Sequence, residues 1–182
     1  NLGACGEGGA VVSDDGDICT KVRQLRDHGQ ARKYYHDCEG VNARMDAIQA
    51  ICLRAKLRRL RSWNESRIAA AAHYNKRLAG HAGIVAPRCP AHNVHVYHLY
   101  VVLVDRRDEV QRKLGEAGVS TGLHYPLPLH LQAAYAALGH KKGDFPVTES
   151  VADRLLSLPM FPGITAEQLD YVCEKLLAAV GS

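Results

Sequence analysis

The sequence predicts an α/β protein, on three features of the chain. The run His95 to Val104 (HVYHLYVVLV) is β-branched and aromatic, the composition of a strand. Met45, Ile48, Cys52 and Ala55 form one apolar stripe at helical spacing, widened by Leu53, Leu57 and Leu60, and mark a long helix from Arg44 to about Arg61. Gly80, Gly83 and Pro87 then break the pattern, and the residues beyond them read as a small α/β domain. The boundary divides the chain into 1–83 and 84–182, a length that suits one domain or parts of two.

The other elements can be placed in chain order. GGAVVS (8–13) predicts a short buried strand, closed by a reversal at Asp14-Asp15-Gly16-Asp17. No Glu stands at the spacing a calcium loop needs. Ile18, Val22 and Leu25 share a face of a helix over 18–27, which Gly29 ends. Residues 30–43 have loop composition, with Tyr34, Tyr35 and His36 as recognition chemistry. An Ala-rich helix spans about Glu65 to Leu78. After the strand at 95–104, Asp105 is a candidate N-cap for a helix that turns Val110, Leu114 and Ala117 inward and stops at Gly118. Thr121 to Tyr125 is a second strand, halted by Pro126 and Pro128. Residues 130–138 and 148–156 read as helical, and Leu156-Ser157-Leu158 as a third short strand. Thr165 and Gln168 fit a capping box that opens a last helix to about Val180.

Composition narrows the function classes. A chain 47% hydrophobic and 23% charged suits a soluble globular protein, the lack of a charged-then-apolar leader gives no sign of secretion, and the scattered cysteines lead to the expectation of a cytoplasmic protein. The longest apolar runs, such as Val101 to Val104, are too short to span a membrane. A net charge of +4 is mild for a nucleic-acid binder. The basic cluster LRAKLRRLRSW (53–63) reads as a solvated helix face or as attraction for an anionic nucleotide. The six cysteines are scattered without a C-x-x-C pair, which argues against a zinc ribbon and for reduced, packed thiols. His95 and His98 would point to opposite faces of a strand, so no metal site is expected.

Three segments carry chemistry. Gly3, Gly6, Gly8 and Gly9 lead into a strand, whereas a dinucleotide fingerprint comes after a strand and opens a helix, so that reading is excluded. In GVNARM, Asn42 and Arg44 read on their own as a helix-start Asn and a surface Arg, one an amide donor and the other a guanidinium fork. In HYPLPLH, His124 and Tyr125 stand at a strand end before a proline-stiffened loop, with His130 beyond; strand ends in α/β architectures are frequent ligand sites.

Taken together, NLGACGEGG, KYYH, GVNARMDAIQA, WNESR, HVYHLYVV, HYPLPLH, GDFPVTE and LSLPM run in order through nearly the whole chain and resemble the DegT/DnrJ/EryC1/StrS family of sugar aminotransferases, which use pyridoxal phosphate (PLP). The resemblance implies the fold of type I PLP-dependent transferases, aspartate-aminotransferase-like. This chain would be the C-terminal portion: the end of the large PLP-binding domain with the linking helices in 1–83, and the small α/β domain in 84–182. It also implies a Schiff-base lysine immediately before Asn1, so that no catalytic residue lies within the chain and the isolated 182 residues are inactive. Asn1 and Asn42 would contact the cofactor, Asn42 reaching the phosphate held by the other subunit of a homodimer with shared active sites. Arg44, His124, Tyr125 and His130 would meet the substrate. The implied reaction is ping-pong transfer of nitrogen from glutamate to a keto nucleotide sugar; KYYH, WN and HYPLPLHLQ resemble enzymes that aminate 3-keto sugars. Two alternatives remain: a sugar dehydratase of the same family, with histidine in place of the lysine, and a non-catalytic dimerising remnant. The residue preceding Asn1 separates them.

Overall fold

The computed structural model describes residues 1–181. The chain forms two units, Asn1–Arg61 and the remainder from Ser62.

In the first unit, helix α1 (Gly16–Arg26) starts where the Asp15 carboxylate accepts the N–H groups of Asp17 and Ile18 at 2.8 and 3.3 Å. The aspartate-rich segment is therefore a helix cap and not the expected reversal. Residues 8–13 form no strand: Val12 is 92% exposed, and no described strand of this unit lies beside the segment to satisfy its backbone. The dinucleotide reading still fails, because the helix opens only at Gly16 and none of the four loop glycines caps it. Past Asp27 the chain turns through His28 and Gly29, both at positive φ, and the Gly29 N–H returns to the Gln24 carbonyl at 2.8 Å. The expected loop 30–43 holds a small antiparallel hairpin, β1 (Gln30–Arg32) and β2 (Tyr35–His36).

Helix α2 (Ala47–Leu57) ends in a turn at Arg58-Arg59, and α3 (Leu60–Leu78) begins anew, where the apolar stripe predicts one helix through Arg61. Arg54 and Arg58 stand i,i+4 on that run, and such like-charge pairs weaken a helix by roughly 0.2–0.5 kcal/mol each. Among the described residues of this unit only Gly29 is fully buried, and Ile48, Ile51 and Leu57 of α2 lie exposed.

The second unit has a conventional core. Strand β4 (Tyr100–Val104) pairs antiparallel with both β3 (Ile84–Val85) and β5 (Leu155–Leu158), giving the order β3-β4-β5. Alternate residues Tyr100, Val102 and Val104 are fully buried, as period-two geometry requires. Helices α3, α4 (Arg107–Glu116) and α6 (Ala166–Val180) pack Tyr74, Leu114 and Leu176 into that core. Ala70, Ala71, Tyr74 and Leu78 of α3 belong to it, so the compact units divide at Arg61/Ser62, while the composition break stands near residue 83. Both buried phenols are hydrogen-bonded: Tyr74 donates to the Pro159 carbonyl at 2.9 Å and Tyr100 to Asn75 Oδ1 at 2.6 Å. Burial raises both above the usual tyrosine range and pushes the Cys173 thiol up to about 11. Thr165 and Gln168 form the expected capping box of α6.

Several expected elements differ. The strand starts at Tyr100 and not at His95, because Tyr97 has a φ of 41° and the Tyr97 and His98 carbonyls are taken by Arg67. His95 and His98 therefore lie outside any strand, and the opposite-face argument does not apply to them. No group of three His, Cys, Asp or Glu poised for a metal occurs among the described residues. Arg106, not Asp105, is the cap of α4, while Asp105 pairs with Arg154 at 2.9 Å. Of the strand expected at 121–125 only a single bridge, Gly122 to Ser157, forms before the prolines. Residues 129–138 make two 3-10 turns, and helix α5 spans Pro146–Arg154. No helix among the described residues is long and apolar enough to cross a membrane.

Candidate functional site

Each unit carries one cleft built from residues that the motifs single out. In the first unit, backbone hydrogen bonds stitch 41–43 to the end of α1: Val41 N–H to Leu25 O and Ala43 N–H to Arg26 O, both 2.8 Å, with His28 N–H returning to Val41 O at 3.0 Å. Two glycines allow this close approach. A Cβ on Gly29 would lie 1.7 Å from the Cys38 carbonyl oxygen, and one on Gly40 2.2 Å from the Gly29 nitrogen. The result fixes Asn42 and Arg44 side by side. Arg44 Nε donates to Asn42 Oδ1 at 3.2 Å and stands 3.8 Å from Asp27 Oδ1, a buried carboxylate oxygen that accepts no hydrogen bond from the described residues. Arg44 faces a cleft of about 610 Å³ with Arg32, Lys33, Tyr34 and His36 on its other walls. His36 Nδ1 is bonded to the His28 carbonyl at 2.8 Å, and the Arg32 guanidinium lies 3.6 Å over the Tyr35 ring, so the hairpin is internally braced. Arg32, Lys33 and Arg44 outweigh the one carboxylate on the cleft wall, Asp27, a balance suited to an anionic group.

Asn1 heads the glycine loop, which is moored to α2. The Cys5 and Gly6 N–H groups both donate to Gln49 Oε1, at 2.9 and 3.0 Å, and Lys56 Nζ donates to the Gly3 carbonyl at 2.6 Å.

In the second unit, a cleft of about 640 Å³ lies between the HYPLPLH loop and α5, with His124, Tyr125, Leu127, Leu129, Val147 and Val151 on its walls. His124 Nδ1 is bonded to Ser157 Oγ at 2.9 Å, which sets the ring from β5. Tyr125 is 72% exposed and meets the His124 ring edge-on at 5.5 Å. The walls are mostly apolar, with a few polar groups in fixed places, the usual make-up of a small-molecule site.

His130 is positioned differently. Its side chain is 8% exposed and outside the cleft wall, with Nε2 3.0 Å from Glu149 Oε1. Glu149 also accepts the N–H groups of Gly143, at 2.8 and 3.0 Å, and of Phe145 at 3.4 Å. The Gly143 amide, aided by His130 and Phe145, holds its carboxyl below the usual carboxylate range. Motif reading misses Glu149, Ser157 and Arg67. For Glu149 a signal exists: FPVTE places Pro146 at the first helical position of α5 and the glutamate in the first turn, where anions are favoured.

Comparison with known proteins agrees with the motifs. Residues 1–177 match the model of the "DegT/DnrJ/EryC1/StrS aminotransferase family". The erythromycin biosynthesis sensory transduction protein EryC1 of Saccharopolyspora erythraea is 46% identical over 98% of this chain and 49% of its own length. The dTDP-3-amino-3,4,6-trideoxy-alpha-D-glucose transaminase of Streptomyces venezuelae is 43% identical over 92% of this chain and 44% of its own length. Among solved structures, S. venezuelae DesV in complex with a ketimine intermediate superposes with a TM-score of 0.95 at 39% identity, over 99% of this chain and 48% of that one. The chain thus has the expected type I transferase fold and spans about half the length of the relatives it matches.

Proposed function

Because the chain belongs to the DegT/DnrJ/EryC1/StrS aminotransferase family, we propose that it works as part of a PLP-dependent aminotransferase that acts on a keto nucleotide sugar, at carbon 3, with glutamate as nitrogen donor. The family match across residues 1–177 carries the reading. The 3-amino sugar in the name of the S. venezuelae relative supports the position of amination.

The donor chemistry of the first unit fits the cofactor. Asn42 spends its carbonyl oxygen on Arg44, which leaves its amide N–H groups to donate to a phosphate. Asn1, at the head of the moored glycine loop, would contact the cofactor as well. When bound, PLP supplies the electron sink for moving nitrogen between amino and keto carbons. Arg44, held beside Asn42, binds an anionic group of the substrate. His124 lines the cleft with Nδ1 committed to Ser157, which leaves Nε2 for a ligand, and Tyr125 adds a phenol to the same wall. Leu127, Leu129, Val147 and Val151 exclude water from a sugar held there. His130 acts through Glu149, which steadies the loop that carries Tyr125. The exposed apolar residues of α2 support a homodimer, and the free thiols suit the cytoplasm.

The test uses the whole encoded protein. Incubation with glutamate and a dTDP-linked 3-keto sugar should replace the keto oxygen by an amine, read by mass spectrometry, and borohydride should fix the cofactor to a lysine in the peptide that ends before Asn1. A deoxygenated product with histidine at that position would overturn the reading in favour of the dehydratase.

A further inference from the structure

We infer that Gln49 is a positioning residue: its side-chain carbonyl sets the glycine loop and, through the loop, the lysine that the proposed function places before Asn1. The inference rests on that proposed function. Gln49 is 44 residues from Cys5 in sequence, and the fold brings it to the loop. It stands in the first turn of α2, half-buried. Its Oε1 accepts two successive loop amides, the Cys5 N–H at 2.9 Å and the Gly6 N–H at 3.0 Å. A carbonyl oxygen has two lone pairs, and both are used. Two donors on one acceptor fix the orientation of this stretch of backbone as well as its place. Two turns along the same helix face, Lys56 Nζ donates to the Gly3 carbonyl at 2.6 Å. The loop is thus held at Gly3, Cys5 and Gly6, and the Gly3 anchor is two residues from Asn1. Gly6 permits the close approach, since a Cβ there would lie 2.9 Å from Gln49 Nε2.

These bonds do little for global stability. Cys5 and Gly6 are exposed, so water takes over both amides when the acceptor is removed. Water cannot replace the direction that the side chain imposes. A reacting group misplaced by about 1 Å can lose roughly 10²-fold in rate, so a contact of small energy acts here through geometry. The same helix begins just past Arg44, so α2 serves as the common reference for the loop and for the Asn42–Arg44 pair.

The experiment uses the whole encoded protein and three variants. Q49M removes the acceptor at similar length, Q49E keeps two acceptor oxygens, and G6A pushes the Gln49 amide away without altering it. All three should melt with the parent. In cofactor-free protein, the Cys5 and Gly6 amides should be protected from hydrogen exchange in the parent and Q49E, and exchange at least 10-fold faster in Q49M and G6A. On addition of PLP, covalent attachment trapped by borohydride should be about 10- to 100-fold slower in Q49M and G6A and near the parental rate in Q49E. Free exchange of both amides in the parent would overturn the inference. So would parental attachment rates in Q49M, or a Q49E as slow as Q49M. A parent with protected amides that attaches no cofactor would overturn the proposed function, and this role with it.

Discussion

Glu149 ties together two loops through His130: the HYPLPLH loop donates the imidazole, and the 140–145 loop donates the Gly143 and Phe145 amides to the same carboxylate. A carboxyl whose folded pKa is depressed contributes stability above its unfolded pKa, about 4.3, and loses it as pH falls through the folded value. Protection of the Gly143 amide against hydrogen exchange should therefore hold near neutral pH and collapse in acid, below the ordinary carboxylate range. In E149Q it should be low throughout and show no such transition. A pH-independent protection in the native chain would show that the amides are held by other contacts.

Arg67 is the buried cation of the second unit. Its Nη1 donates to the carbonyls of Tyr97, His98 and Met160, at 3.2, 3.1 and 3.0 Å. Burial lowers its pKa, which marks the desolvation it bears. R67M fills similar volume but strands the buried Tyr97 carbonyl and two half-buried ones, and a buried unsatisfied group costs roughly 1–3 kcal/mol. Urea unfolding of R67M should show a loss of about 3 kcal/mol or more, with R67K recovering part of it. A loss under about 1 kcal/mol would mean that water replaces the guanidinium without penalty.

The glycines of the first unit separate into two kinds. Gly29 has a φ of 73° and no room for a Cβ beside Cys38, whereas Gly9 has nothing within 4 Å. An unstrained glycine-to-alanine change stabilises by roughly 0.4–1 kcal/mol, whereas G29A should destabilise by more than about 1 kcal/mol and should displace the Asn42–Arg44 pair stitched to it. G9A should leave stability within about 0.5 kcal/mol. Circular dichroism melts of the two variants, run together, test the contrast; equal melting would mean that the turn at Gly29 relaxes freely.

Legibility in the sequence depends on which forces are local. The capping box at Thr165, the left-handed exit at Gly118 and the strand at Leu155–Leu158 rest on a few adjacent residues, and all are readable. Motif order singles out Asn42 and Arg44, which the fold sets side by side, and His124 with Tyr125, which share a cleft wall. The features that escape depend on long-range partners. The strand expected at 8–13 needs a neighbour that this unit does not place beside it. The extension of β4 to His95 is cancelled by Arg67, about thirty residues upstream. Glu149 and Ser157 become visible only when the chain folds back on itself.

Ser157 offers the sharpest test of the second cleft, because it acts without lining the cleft wall. It is buried in β5, accepts the Gly122 N–H through its own carbonyl and donates its N–H to Gly122 O, so its backbone is fixed whatever the side chain. Only Oγ reaches His124. S157A should therefore fold normally and free the imidazole to rotate. On the proposed function, the whole protein's KM for a keto nucleotide sugar should rise about 3- to 10-fold, the equivalent of a hydrogen bond of about 0.5–1.5 kcal/mol, with kcat changed far less. S157T keeps the hydroxyl and should restore most of the affinity. Equal behaviour of S157A and the parent would remove His124 orientation from the substrate site, and a fall in kcat alone would place the histidine in the chemical step.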